Sequence, residues 1–356
     1  MEQEQVLQDF GQRIRAAVAA RQPLQIRGGG SKDWYGQVPA GEVLDTRAWS
    51  GIVDYDPTEL VVTARCGTPL AELEAVLAAQ NQMLAFEPPH FGAGATVGGM
   101  VAAGLSGPRR QAVGAVRDFV LGATIMDGRG QLLRFGGRVM KNVAGYDVSR
   151  LMAGAMGSLG LILEVSLKVL PRPFIETTIR LDAGQAGAIR SLNQWGGQPL
   201  PISASMWHGE RLLVRLAGAR SAVHAAQGMM GGAVVEDAGM LWQQIREQQH
   251  PFFTAQPETP CWRLSVPSVT DALALPGEQM IEWGGALRWL RTDADAASVR
   301  QAAAAAGGHA TLFRGGDKED GVFHPLAPAV AAIQRKLKQG FDPDAIFNPC
   351  RLYNDF

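Results

Sequence analysis

The sequence predicts an α+β protein of two domains closed by a helical tail. Three observations carry that expectation. Glycine makes up 43 of 356 residues, and most of the excess falls before Gly160, where apolar strands alternate with short helical stripes and the junctions need sharp turns or close backbone approach. Pro171-Arg172-Pro173 then breaks an apolar strand and marks a boundary. Beyond it, residues 175–236 read as strand, helix, strand, strand, helix, strand, and residues 262–313 read the same way, each half a ferredoxin-like βαββαβ unit. The expected parts are therefore 1–172, then 173–325 as one antiparallel sheet with helices on one face, then 326–356 as a helix and tail returning to the first domain. Two cores suit the length, because single cores rarely grow past about 250–300 residues.

Composition narrows the function. With 46% hydrophobic and 19% charged residues and a net charge of -1, the chain is a packed globule without an electrostatic footprint for nucleic acid. Its start, Met1-Glu2-Gln3-Glu4-Gln5, lacks the basic and apolar regions of a signal peptide. No apolar run reaches the roughly 18 residues of a membrane span, so a cytoplasmic place is expected. Cys66, Cys261 and Cys350 are far apart. That spacing suits reduced thiols and excludes an iron–sulfur cluster, which needs several closely spaced ligands.

Val6, Phe10, Ile14 and Val18 form one stripe of a helix that Pro23 ends, and Leu24-Gln25-Ile26 is a strand. Arg27-Gly28-Gly29-Gly30-Ser31-Lys32 follows. Three glycines able to take positive φ can turn consecutive N–H groups onto an anion, with a hydroxyl and two cations beside them; the alternative is a flexible surface loop. The loop lacks the Gly-Lys-Ser/Thr ending of a Walker A motif and the glycine spacing of a Rossmann fingerprint. Leu60 to Ala64 is a strand. Thr68 is the expected N-cap and Pro69 the first residue of a helix striped by Leu70, Leu73 and Leu77 and stopped at Asn81. His90, in the stiff Pro88-Pro89-His90 loop, is either a ligand contact or solvent-facing. The helix opening at Thr96-Val97-Gly98-Gly99 is expected to leave its first N–H groups for a phosphate or polar ring edge.

Val120 to Met126 and Gln131 to Phe135 form a hairpin turning at Asp127-Gly128 or as far as Gly130. Asp147-Val148-Ser149 leads into a helix through Leu151 and Met152. From Leu161 to Val169, apolar residues alternate with Ile162, Glu164, Ser166 and Lys168, which predicts a strand with one core face. The second domain has strands near Arg263, Met280, Leu287 and Thr311 and a helix across Ala294–Ala306. Trp207, Trp262, Trp283 and Trp289 read as core or interface aromatics. No two of His90, His208, His224, His250, His309 and His324 are close enough in sequence for a local metal pair, so no metal site is expected. Arg263, Arg288 and Arg314 are either carboxylate clamps, through the bidentate fork of the guanidinium, or solvated strand-face charges. Val330, Ile333 and Leu337 stripe the last helix, with Arg335, Lys336 and Lys338 on its outer face. The aromatic tail from Phe341 to Tyr353 is expected to dock.

Taken in order, Arg27–Lys32, Thr96–Gly99, Gly114–Gly122, Lys141–Asp147 and Gly157-Ser158-Leu159-Gly160 resemble the FAD-binding domain of the vanillyl-alcohol oxidase / p-cresol methylhydroxylase (PCMH) family. The resemblance implies a PCMH-type domain of two α/β subdomains followed by a cap or substrate domain. It implies that Gly28, Gly29, Gly30 and Ser31, flanked by Arg27 and Lys32, hold the FAD pyrophosphate. Thr96, Gly98 and Gly99 would lie along the pyrophosphate or flavin; Gly107, Arg110, Gly114 and Asp118 fall in the segment that follows the cofactor; Gly160 and Leu161 would meet the adenosine end. Catalytic residues are not assigned. Members with covalent flavin often use a histidine in or near the glycine loop. This loop has none, so noncovalent FAD is expected. Related D-2-hydroxy acid dehydrogenases carry a histidine metal cluster that has no counterpart here.

Within the family, the Lys141–Asp147 string, the Pro88-Pro89 loop and the Phe341–Tyr353 tail are similar to E-type subunits of bacterial glycolate oxidases. That similarity implies a complex converting glycolate, a small 2-hydroxy acid, to glyoxylate. The implied partners are a homologous FAD-binding D-type subunit and an iron–sulfur F-type subunit that receives the electrons. The implied place is cytoplasmic, with the inner face of the cell membrane open to it through the complex. Two other readings stay open: a stand-alone FAD-dependent 2-hydroxy acid dehydrogenase, and a non-catalytic FAD-binding structural subunit.

Overall fold

Two units make up the computed structural model, which describes residues 2–137 and 147–355. The first comprises Met1–Leu105, Ala115–Pro171 and Pro325–Phe356; the second comprises Ser106–Gly114 and Arg172–His324. Most of the Lys141–Asp147 string lies outside the described residues.

In chain order the first unit opens with α1 (Glu2–Ala20), β1 (Leu24–Arg27), β2 (Glu42–Asp45), β3 (Ile52–Asp56), β4 (Val61–Arg65), α2 (Leu70–Ala79), β5 (Gln82–Met83) and α3 (Val97–Ala103). After α4 (Arg110–Val113), which belongs to the second unit, it resumes with α5 (Val116–Phe119), β6 (Val120–Met126), β7 (Leu132–Gly136), β8 (Leu161–Lys168) and β9 (Leu170–Pro171). β1 and β2 pair in parallel, and an antiparallel sheet runs β3-β4-β8-β6-β7. β8 sits at its centre, and every residue in it but Glu164 and Lys168 is buried. The single core face expected there is therefore wrong: a central strand covered on both sides buries Ile162 and Ser166 too, and the Ser166 hydroxyl pairs with that of Thr63 at 2.8 Å. The hairpin turn is closed by the Asp127 carboxylate, which accepts the N–H groups of Arg129 and Gln131 at 2.9 and 2.8 Å.

Thr68 does not cap α2. Pro69 occupies the N-cap position, and the Thr68 hydroxyl instead accepts the Gly51 N–H at 2.9 Å and donates to the Gly51 carbonyl at 3.1 Å. Asn81 follows the helix with φ of 54°, the left-handed turn that lets the chain leave it.

The second unit is built on β10 (Ile175–Asp182), α6 (Gln185–Gly196), β11 (Ile202–His208), β12 (Arg211–Gly218), α7 (Arg220–Met230) and β13 (Ala233–Val235). It continues through α8 (Ala238–Arg246) and α9 (Pro251–Thr254) to β14 (Cys261–Ser265), β15 (Glu278–Glu282), β16 (Leu287–Arg291), α10 (Ala296–Ala305) and β17 (His309–Arg314). The strands make one eight-stranded antiparallel sheet, ordered β13-β10-β12-β11-β15-β16-β14-β17. α6 and α7 cover one half of a face through Ile189, Leu192, Val223 and Ala226 against Ile179, Val214 and Ile281. α10 covers the other half through Val299 and Ala303 against Trp262, Leu264 and Leu290. The tryptophans expected in the core are buried.

The second half lacks the first helix of its expected βαββαβ pattern. Residues 266–277 run from β14 to β15 without one. Pro267 and Pro276-Gly277 bracket too short a stretch for a stable helix, and the connection is fixed by a side chain instead. Arg288 is 1% exposed, and its guanidinium donates to the carbonyls of Thr270 and Gly285, both at 2.6 Å.

α11 (Pro328–Phe341) returns the chain to the first unit. Its faces follow expectation only in part: Arg335 and Lys336 are exposed and Leu337 is half-buried, but three residues depart from it. Lys338 is buried, while Val330 and Ile333 are 44% and 59% exposed. The Lys338 ammonium donates to the Asp342 carboxylate at 2.6 Å and to the carbonyls of Ser158 and Phe347 at 2.8 Å, so all three donors are satisfied.

Candidate functional site

An open cleft of about 560 Å³ in the first unit is lined by the stretch from Gln25 to Asp33 and by Thr96, Gly99, Met156, Asn348 and Arg351. A second hollow of about 370 Å³ shares Ile26, Gly28, Gly99, Ala102 and Met156 with it and extends past Cys66 and Gly98 to Gly160 and Leu161. Eleven predicted site residues, Arg27 to Lys32, Thr96, Gly98, Gly99, Gly160 and Leu161, are thus brought to two adjoining hollows.

The glycines are required by close approach. A Cβ on Gly29 would lie 1.5 Å from the Gly94 carbonyl oxygen, and one on Gly28 would lie 2.3 Å from the Thr96 hydroxyl. Among the described residues, the N–H groups of Gly28, Gly29, Gly30 and Ser31 enter no hydrogen bond. The cations expected beside them line the same cleft and are already engaged. Arg27 pairs with Asp33 at 2.6 Å, and the Lys32 ammonium donates to the His90 carbonyl at 3.1 Å and to the Ser31 hydroxyl at 3.3 Å. Backbone donors, more than fixed charges, are what this wall offers, and such donors suit a pyrophosphate. The residues present fit a phosphate-bearing dinucleotide.

The start of α3 is different from expectation. Its first N–H groups are already taken: Val97 donates to the Thr68 carbonyl at 2.9 Å, Gly98 to the Cys66 carbonyl at 2.8 Å, and Gly99 to the Thr96 hydroxyl at 3.2 Å. The chain around Pro69 runs beside Thr96 and supplies these acceptors. Thr96, Gly98 and Gly99 therefore shape the wall and do not present a free helix end. Cys66 lines the second hollow, and burial pushes its thiol up to about 12, so it is an inert apolar surface. His90, far from facing solvent, sits 3.0 Å from the Glu74 carboxylate.

Residues 7–136 match the model of a family described as FAD binding domain. Over its whole length the chain is similar to the glycolate oxidase subunit GlcE of Escherichia coli (strain K12), with 50% identity across 342 residues that cover 96% of each. The chain belongs to the GlcE family of glycolate oxidase subunits. It carries an FAD-binding domain of the PCMH type. The glycolate oxidase subunit GlcD of Bacillus subtilis (strain 168) is 32% identical over 162 residues, 45% of this chain and 34% of that protein. A solved alkyldihydroxyacetonephosphate synthase, 14% identical, shares the fold with a TM-score of 0.66 over 96% of this chain and 75% of its own.

Gly107, Arg110 and Gly114 lie in the second unit, not the first. The Trp283 indole N–H donates to the Gly107 carbonyl at 3.0 Å, and the guanidiniums of Arg110 and Arg263 lie 4.3 and 5.2 Å from the Trp283 ring centre. Those contacts draw residues 106–114 out of the first domain's expected span. Asp118 remains in the first unit but lines neither hollow; its carboxylate accepts the Ala115 N–H at 2.8 Å. Arg288 is neither a clamp nor a solvated charge, since it braces the 266–277 connection, and burial pulls its pKa down to about 10.

The histidines do converge in space, contrary to their scatter in sequence. The rings of His208 and His250 are 5.5 Å apart and those of His309 and His324 are 6.4 Å apart. Three of the four have structural partners: Glu278 for His208 at 2.7 Å, the Phe252 N–H for His250 at 3.2 Å, and the Ala310 N–H for His324 at 3.4 Å. Among the described residues no group of three His, Cys, Asp or Glu is arranged to hold a metal, and no helix is long and apolar enough to cross a membrane. Asn348 and Arg351 are among the cleft residues that the sequence did not single out. Their only signal was a turn-rich tail.

Proposed function

We propose that this chain is the FAD-carrying E-type subunit of a complex that oxidises glycolate, and other small D-2-hydroxy acids, to the 2-oxo acids. FAD would lie noncovalently in the two adjoining hollows. Its pyrophosphate would meet the N–H groups of Gly28, Gly29, Gly30 and Ser31, with Arg27, Lys32, Thr96, Gly98 and Gly99 around it and Gly160 and Leu161 at the adenosine end. The single observation that carries this reading is the paired hollow, walled by glycines such as Gly28 and Gly29 where a Cβ would clash and by loop amides that enter no hydrogen bond among the described residues, in a chain 50% identical to GlcE. Noncovalent attachment is supported by the glycine loop, which has no histidine, and by His90, whose ring is engaged by Glu74. When bound, FAD supplies two-electron redox chemistry; the protein supplies position and electrostatics.

The proposed partners are a D-type FAD subunit and an F-type iron–sulfur subunit, and the proposed place is cytoplasmic, at the inner membrane face through the complex. The hydroxy acid is oxidised on the D-type subunit. In this chain three of the four histidines that converge in the second unit are engaged by Glu278 and by backbone amides, while hydroxy-acid oxidation needs a base and an anchor at the flavin. The test is tagged chain recovered from its native cells, with flavin and iron assayed and each preparation mixed anaerobically with glycolate. The expected result is a complex containing iron and a second flavoprotein, bleached by glycolate, and an isolated yellow chain that glycolate does not bleach and that releases intact FAD on acid precipitation. Rapid saturable bleaching of the isolated chain sinks the division of labour and favours a stand-alone dehydrogenase. Flavin retained on acid-denatured protein sinks the noncovalent assignment.

A further inference from the structure

The tail after α11 is stitched to the lining of the cleft. The Asp342 carboxylate accepts the Phe347 N–H at 2.8 Å and the Ile346 N–H at 3.2 Å while it holds Lys338, so the turn that starts the tail is fixed from inside. Phe347 is fully buried and pairs in parallel with Leu24. Leu24 donates to the Ile346 carbonyl at 2.7 Å, and Asn348 donates to the Leu24 carbonyl at 2.9 Å. The tail thereby extends β1, the strand that delivers the glycine loop.

From that strand two side chains reach apart. The Asn348 amide accepts the Ile26 N–H at 2.7 Å and donates to the Met156 carbonyl at 2.6 Å, tying β1 to the Met156–Gly157 turn, which also lines the hollows. Gly157 must lack a Cβ for this, because one would lie 2.6 Å from the Asn348 amide nitrogen. Arg351 is 5% exposed. It donates to the carbonyls of Asp33 at 2.9 Å, Lys32 at 3.3 Å and Gln37, gathering the chain immediately after the glycine loop. Buried polar groups bonded this completely hold one geometry, since every alternative leaves a carbonyl or a guanidinium unpaired.

We propose that Asn348 and Arg351 are positioning residues for the dinucleotide, holding the glycine loop and the Met156–Gly157 turn at the spacing the cofactor spans. This rests on the placement of FAD in the cleft. It follows that tail docking and FAD binding are one linked equilibrium, each tightening the other by the same factor. The test uses the full-length chain, with FAD affinity measured by flavin fluorescence and amide hydrogen exchange followed with and without FAD. Asn348→Ala and Arg351→Ala are expected to weaken FAD binding at least tenfold. Arg351→Lys should recover part of the loss, because an ammonium reaches fewer of the three carbonyls. In the wild type, FAD should slow exchange in residues 345–351 as well as in 26–33, a linkage that a merely structural tail would not show. FAD affinity within twofold of wild type in the folded alanine variants, or tail exchange unchanged by FAD, overturns the proposal; where an alanine variant does not fold, the wild-type exchange decides alone. Gly29→Val separates the two failures. If it loses FAD while the tail variants keep it, the clamp is wrong and the cleft stands; if it also keeps FAD, the cleft placement is wrong.

Discussion

In the glycine loop of the first unit the residues are small, and the N–H groups of Gly28 to Ser31 enter no hydrogen bond among the described residues. In the sheet of the second unit Arg288 and Arg291 are long side chains turned inward, each taken up by backbone carbonyls. Gly28, Gly29 and Gly98 tolerate no side chain without a clash. Arg288 and Arg291, both at 3% exposure or less, hold carbonyls of Thr270, Gly285, Phe253 and Thr259. The contrast teaches that polar density is a poor guide to a binding site. The first unit exposes donors by removing side chains; the second consumes its donors to brace loops that lack helices. A substitution in the glycine loop should therefore act on the ligand, and one at these buried arginines on stability.

Gly29→Val should break the contrast most sharply. The added side chain cannot coexist with the Gly94 carbonyl oxygen at 1.5 Å from its Cβ, so the loop must move away from its partner wall. FAD affinity should fall at least a hundredfold, which corresponds to about 2.8 kcal/mol, with circular dichroism of the second unit's sheet little changed. Stoichiometric FAD at wild-type affinity in this variant would show that the loop is not the pyrophosphate site.

Arg288→Ala should act the other way. It removes the bond to Thr270, which holds residues 266–277, and the bond to Gly285, and leaves both carbonyls without their donor. A loss of about 2–4 kcal/mol in unfolding free energy is expected, read by denaturant unfolding, with FAD affinity unaltered. Arg288→Met should cost less than the alanine variant. The Arg288 Nη1 has no hydrogen-bond partner among the described residues, so removing the charge offsets part of the lost bonding while the methionine fills the space. An Arg288→Ala protein as stable as wild type would show that the connection stands without its brace.

Much of the first unit was legible for the same reason its site works. Glycine announces backbone demands locally, and Arg27-Gly28-Gly29-Gly30-Ser31-Lys32 lies at the end of its strand as its sequence requires. What was illegible depended on partners distant in sequence. The free amides expected at Thr96-Val97-Gly98-Gly99 are capped by Thr68 and Cys66, some thirty positions earlier. Lys338 looked like an outer-face charge because nothing local reveals that Ser158, 180 positions away, offers it a carbonyl. In the second unit the repeated strand order was visible in its periodicity. The missing helix was visible only as two prolines, Pro267 and Pro276, and the pairing of His208 with His250 needed the strand and helix to be placed first.

The smallest effect sharpens the second unit's side of the contrast, because it concerns a titratable side chain with a purely structural bond. His250 caps α9: its ring nitrogen accepts the Phe252 N–H at 3.2 Å, a role open only to the unprotonated nitrogen. Burial, with His208 beside it, pulls its pKa from 6.5 to about 4, against a smaller opposing pull from Glu278. The unfolded chain would take up that proton near 6.5, so between the two values the unfolded state binds more protons than the folded one. Stability then rises with pH across that window: the contribution is complete above about 6.5 and is lost as pH falls toward 4. Solvent around a half-buried ring screens the effect, so the expected signature is a modest slope in melting temperature. His250→Asn supplies an oxygen for the same N–H and cannot titrate. It should flatten the slope between pH 6.5 and 4 while leaving the melting temperature at pH 7.5 nearly unchanged. An identical acid slope in wild type and variant would place the pH sensitivity elsewhere and leave His250 a cap and nothing more.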